Sequence, residues 1–142
     1  MILLSTALEF VDNKKITMNN LIIDAANEKI FLMLIKDKNI YSVSHENSKT
    51  NYEKLTILIN DFLNDYDLKI SNISKLYVNR GPGSFAGIRN SIAVVKAIYV
   101  ARKIDYYCFS FSDFDKLEAN KYENIPNLCD KLRVKKNLIK PI

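Results

Sequence analysis

The spacing of apolar positions changes along the chain, and each change predicts an element. Asn20-Leu21-Ile22-Ile23-Asp24 predicts a buried strand that ends in a carboxylate. Ala25-Ala26-Asn27-Glu28 supplies a turn. Residues 30–35 are apolar throughout and predict a second strand covered on both faces. Asp37-Lys38-Asn39 is a hairpin turn, and residues 40–44 alternate as a third strand, completing an antiparallel meander. Thr50-Asn51-Tyr52-Glu53 reads as a capping box that opens a helix running to about Tyr66. Tyr52, Leu55, Ile59, Phe62, Leu63 and Tyr66 share one stripe of it, while Ile57 lies on the opposite face, where no core role explains it. Lys75 to Val78 is a fourth strand.

From about Phe85 to Arg102 the period is helical again. Ile88, Ile92, Val95 and Tyr99 make the main stripe, and Ala93, Ala97, Val100 and Ala101 make a second face of mostly small residues. Such a helix is covered on more than one side, and its small-residue face suits another helix at close range. In a chain this short, a partner is the favoured source of that helix. Tyr106 to Phe109 is a fifth strand, and Ser112-Asp113-Phe114-Asp115 starts a short helix with Ser112 as N-cap. Residues 121–142 lack a strong pattern. Residues 1–17 precede a second methionine, Met18, and read as a loose extension or an upstream start.

The element order is thus β-β-β-α-β-α-β-α. It predicts an α/β fold: a mixed five-stranded sheet with helices on both faces, which resembles the ribonuclease H-like lobe of actin-like ATPases. The expected organisation is an extension over 1–17, one lobe over 18–120 and a basic tail over 121–142.

Composition adds little until charge is placed. The net charge is +5, and residues 131–142 hold Lys131, Arg133, Lys135, Lys136 and Lys140 with no acid. The remaining 16 basic residues balance the 16 acidic ones, so the body is neutral and the tail basic. That tail suits either solvent or nucleic acid. No run approaches the roughly 20 apolar residues of a membrane helix, so no membrane role is expected. Cys108 and Cys129 do not make a disulfide framework and fit a reducing cytoplasm.

The three glycines of the chain, Gly81, Gly83 and Gly87, all fall in Asn79-Arg80-Gly81-Pro82-Gly83-Ser84-Phe85-Ala86-Gly87-Ile88-Arg89, at a strand-to-helix junction. Two readings fit. Amides at a helix start can cradle phosphate, or the loop is a tight turn that seats a helix hard on the sheet. No lysine follows the last glycine, and the spacing is neither that of a P-loop nor that of a dinucleotide fingerprint. Asp24 can hold a metal or water, or cap its own turn. His45 is the only histidine and has no partner at zinc or Ser–His spacing. Cys108 reads as core, and Asp113 and Asp115 as acids of a helix start. No catalytic or metal-ligating set emerges, and no cofactor is expected.

Residues 80–89 resemble the signature G-P-G-S-F-T-G-[IL]-R of the TsaB (YeaZ) family, with Ala86 where the family has threonine. Leu21-Ile22-Ile23-Asp24 is similar to its first strand, Glu53-Lys54-Leu55 to the opening of its first helix, and residues 111–117 to the short helix after its fifth strand. The resemblance covers about 19–120. It implies a non-catalytic scaffold that pairs through its first-lobe helices with TsaD, the catalytic paralogue. With a TsaE-type ATPase, these transfer threonylcarbamoyl to the adenosine beside the anticodon in certain tRNAs. The loop residues carried over are Gly81, Pro82, Gly83, Ser84, Phe85, Gly87 and Arg89. The expected interface is Glu53, Ile57, Ala93, Ala97, Val100 and Ala101, which would also serve a homodimer. Ala25 and Ala26 replace the usual small hydroxyl residues, and against the two lobes of the family the expectation is a second lobe reduced to a tail ending Pro141-Ile142. Tight ATP binding by this chain alone is therefore not expected. The competing readings are a one-lobe phosphate-binding ATPase or residual peptidase, and a small tRNA-binding module using the tail.

Overall fold

Period-two alternation decides the sheet. In a computed structural model that describes residues 18–114 and 121–139, β1 (Asn19–Asp24), β2 (Lys29–Lys36) and β3 (Asn39–Glu46) form the antiparallel meander. β4 (Lys75–Asn79) lies parallel to β1, and β5 (Asp105–Phe109) parallel to β4, giving the order β3-β2-β1-β4-β5. Ile23 sits between Leu32 and Val78 in this register, so successive residues of β1 face opposite sides.

On the first side Leu21, Ile23, Leu32, Leu34, Leu76 and Val78 meet the helices α1 (Lys49–Glu53), α2 (Leu55–Asn64) and α3 (Phe85–Arg102). α2 buries Leu55, Leu58, Ile59, Phe62 and Leu63, each such burial stabilising by about 1.5–3 kcal/mol. On the second side Ile22, Met33, Tyr77 and Phe109 meet Phe114 and α4 (Ile125–Lys131), which buries Ile125, Leu128 and Cys129. β2 is therefore covered on both faces, as its unbroken apolar run predicts.

Three local expectations are corrected. The first helix is capped by Ser48, not Thr50: Ser48 is extended (φ −130°, ψ 160°) and its side chain accepts from the Asn51 amide. The helix also breaks at Lys54 into α1 and α2, and α2 ends at Asn64, leaving Tyr66 in a turn where it stacks on Tyr41 with centroids 4.0 Å apart. After β5 the cap is Ser110, not Ser112. Ser110 accepts from the Ser112 amide while the Asp113 carboxylate accepts from the Ser110 amide, closing a single 3-10 turn over Phe111–Asp113. Finally, residues 121–139, whose pattern predicts no element, supply a 3-10 turn and α4, and then run beside β5. Val134 donates to the Cys129 carbonyl, and Asn137 both donates to the Tyr106 carbonyl (2.7 Å) and accepts from the Tyr106 amide (2.9 Å). The expected extension over 1–17, Asp115 to Leu117 and the ending at Pro141 and Ile142 lie outside the described residues.

Among the described residues no helix is long and apolar enough to cross a membrane.

Candidate functional site at the glycine loop and the helix groove

β1 ends in Asp24, a fully buried carboxylate. One of its oxygens accepts from the Ala26 amide at 3.0 Å; the other accepts from the Asn27 side chain at 3.1 Å and from the Tyr122 hydroxyl at 2.6 Å. The carboxylate thus fixes its own turn and ties in the segment before α4. Burial, and then the bond to Asp24, raises the Tyr122 pKa above the usual phenol value. Among the described residues no group of three His, Cys, Asp or Glu side chains could hold a metal. His45 is half-buried on β3 opposite Ile30.

The turn that Asp24 holds is the seat of the glycine loop. The Ser84 amide donates to the Ala26 carbonyl at 2.8 Å. A Cβ on Gly87 would collide with the Ala25 carbonyl oxygen, so only glycine lets the first turn of α3 reach that carbonyl. Gly81 has φ +102°, a conformation that side chains disfavour, and its amide donates to the Asn79 side chain at 2.8 Å. The Gly81–Pro82 peptide is cis.

Ser84 caps α3, its hydroxyl accepting from the Gly87 amide at 3.2 Å and lying 2.8 Å from the Tyr52 hydroxyl. The amides of Gly81, Ser84 and Gly87 are thus all bonded within the protein. The loop is built as a joint between the β1–β2 turn and α3, and these three donors are spent on that joint. Arg80 closes its other end with two bonds to Asp113, at 2.9 and 3.0 Å. An open cleft of about 720 Å³ borders the joint, lined by Ala26, Asn27, Phe31, Ser84 and Tyr122 among others. Phe85, the first residue of α3, is 75% exposed, with the Arg89 guanidinium 5.8 Å from its ring centroid.

A second concavity, of about 400 Å³, runs between α1/α2 and α3. It gathers Glu53, Ala93, Ala97 and Ala101 of the expected interface, together with Tyr52, Thr56, Asn90, Val94 and Ile98. Ile57 (56% exposed) and Val100 (70% exposed) do not line it and stand on the outer surface of their helices. Tyr52 is the residue that sequence reasoning undervalues: assigned to the core stripe, it also lines the groove and touches the Ser84 cap. Tyr122 carries no local signal, because its contact with Asp24 spans 98 residues.

Cys108 and Cys129 are free and buried. Burial pushes the Cys108 thiol up to about 11, against the opposing pull of Arg80, and pushes Cys129 up to about 12. Both are core groups, not nucleophiles.

The family model of TsaD, tRNA N6-adenosine threonylcarbamoyltransferase, matches residues 42–111, from β3 through the loop and α3 to β5. The tRNA threonylcarbamoyladenosine biosynthesis protein TsaB of Bacillus subtilis is 27% identical over 104 residues, 72% of this chain and 44% of that protein. TsaB of Buchnera aphidicola is 28% identical over 90 residues, 63% of this chain and 43% of that protein. The chain therefore spans less than half the length of these curated relatives. YeaZ from Pseudomonas aeruginosa superposes with a TM-score of 0.61 at 22% identity, over 66% of this chain and 44% of that one, a likeness of fold. The signature loop, the sheet order and these matches converge: the chain is similar to TsaB/YeaZ proteins in sequence and shares the fold of a YeaZ lobe.

Proposed function

We propose that the chain is a non-catalytic scaffold subunit in tRNA threonylcarbamoyladenosine synthesis, acting in the cytoplasm. It docks a TsaD-type catalytic subunit against the α1/α2–α3 groove. A TsaE-type ATPase joins through that complex, and threonylcarbamoyl passes to the adenosine beside the tRNA anticodon on the partner's active site. The observation that carries this reading is the exposed row Ala93, Ala97 and Ala101 on α3, four residues apart, along one wall of the groove. Small side chains at that spacing let a second helix approach to about 8–10 Å between axes. Glu53 at the groove's edge can pair with a basic group on the incoming helix. The engaged loop amides and the engaged Asp24 carboxylate count against a one-lobe ATPase.

The test is size exclusion with light scattering, on the chain alone and mixed with a TsaD-type subunit. A one-to-one complex that Ala97→Arg abolishes, with the variant's melting curve unchanged, supports the reading. A folded chain that forms no complex overturns it. A homodimer broken by the same substitution would give the groove to a second copy.

A further inference from the structure

The β5 edge carries a concentration of positive charge that a docking groove does not use. Lys131, Arg133, Lys135 and Lys136 follow one another from the last residue of α4 onward with no acid among them. This is not a trailing tail. The Val134 amide donates to the Cys129 carbonyl at 3.0 Å, and Asn137 is bonded to Tyr106 and, through its side chain, to Asp105 at 2.9 Å. The charges between these anchors therefore stand at fixed places.

They border a cleft of about 450 Å³ that shares no lining residue with the helix groove. Arg133 and Lys135 contribute the net charge beside the paired Arg80 and Asp113, and Cys108, Val134 and Leu138 the apolar wall. Asp113 is committed to Arg80 at 2.9 Å and Asp105 to Lys136 at 3.3 Å, which leaves Asp130, at the end of α4, as the neighbouring acid. Among the described residues, no carboxylate lies within ion-pair distance of Arg133 or Lys135. Two such cations held on one rigid segment repel each other, and an anion between them relieves that repulsion. Among the described residues no aromatic side chain lines the cleft, so it suits phosphates and not stacked bases.

We propose that the basic ridge around Arg133 and Lys135 contacts the phosphodiester backbone of the tRNA. This rests on the tRNA-modification reading above and adds a surface to it. Because the ridge and the helix groove are separate, RNA and the protein partner can be held at once.

The experiment is fluorescence anisotropy of labelled tRNA with the full chain across a salt series. Each phosphate contact adds about 0.9 to the slope of log affinity against log salt. The double variant Arg133→Gln/Lys135→Gln is expected to flatten that slope by about 2, and Arg133→Lys/Lys135→Arg to keep it. No tRNA binding by the wild type overturns the proposal. So does an unchanged slope in the neutral variant, or stronger uptake onto vesicles of anionic lipid than onto tRNA. Complex formation with the TsaD-type subunit is read on the same double variant. If the complex is intact and the slope flattened, the ridge is assigned to RNA. If the wild type forms no complex, only the scaffold reading falls, because the tRNA measurement uses the chain by itself.

Discussion

The Tyr122 hydroxyl donates to the Asp24 carboxylate at 2.6 Å, joining the last third of the chain to the end of its first strand. Tyr122 also stacks on Phe31, with ring centroids 4.2 Å apart. Tyr122→Phe keeps the stacking and removes one donor from a fully buried carboxylate. Such a loss costs about 1–3 kcal/mol. The urea midpoint should fall accordingly with the slope unchanged; an unchanged midpoint would show that water replaces the phenol at no cost.

Adjacent positions of the loop should respond in opposite ways. Gly87→Ala improves intrinsic helix propensity by about 1 kcal/mol, yet its methyl group would strike the Ala25 carbonyl and sit 3.1 Å from the Tyr52 ring. The net outcome is destabilisation of about 1–3 kcal/mol, the range of an overpacked core. Ala86→Thr, at an exposed site one residue earlier, should stay within about 0.5 kcal/mol. Thermal melts of the two variants side by side decide this.

Asn137 holds residues 134–139 to β5 through both backbone and side chain, and its φ of +58° suits asparagine. Asn137→Gly keeps that backbone conformation and deletes the side-chain acceptor for the Tyr106 amide. Hydrogen exchange at Tyr106 should then quicken relative to Cys108 in the same strand. Equal protection in variant and wild type would mean that the edge is held by other contacts.

The buried thiols set an alkaline limit. In the unfolded chain they ionise near 9, whereas burial holds Cys108 up to about 11 and Cys129 up to about 12. Raised acid groups favour the fold below the unfolded value. That contribution erodes as pH climbs from about 9 towards the folded values, by about 1.4 kcal/mol per pH unit for each thiol. The buried phenols Tyr77 and Tyr122, raised above 10, add the same sign higher up. Urea midpoints between pH 7 and 10 should be flat to 9 and then decline. Cys129→Ala should lessen the decline without moving its onset.

The strands were legible because their apolar residues alternate or run unbroken, and α3 because its stripes persist through 18 residues. The concentration of glycine in residues 81–87 marked the loop as a site of close approach. Its target, the Ala25 and Ala26 carbonyls, left no trace in the sequence, since backbone acceptors are the same at every residue. Ser48 is hidden as a cap because Thr50 and Glu53 make a capping-box pattern two residues later. α4 has a weak pattern because only Ile125, Leu128 and Cys129 are buried in seven residues, although Pro126 in its first turn is a helix-start signal. The groove combined a readable wall, the alanine row, with an unreadable one, because the break at Lys54 that orients α1 has no local signature.

The joint between Ser84 and Ala26 has a mechanical consequence. α3 is a rod of about 27 Å, from 18 residues at 1.5 Å each, hydrogen-bonded to the β1–β2 turn at its first end and packed on the sheet through Val95 and Tyr99 further along. A tilt of about 5° at that first end would carry Ala101 roughly 2 Å sideways, enough to open or close contact along the alanine row. The turn at Ala25 and Ala26 thus sets the angle of α3, and a steric change beside Asp24 that tilted the helix would be felt, amplified, at the groove.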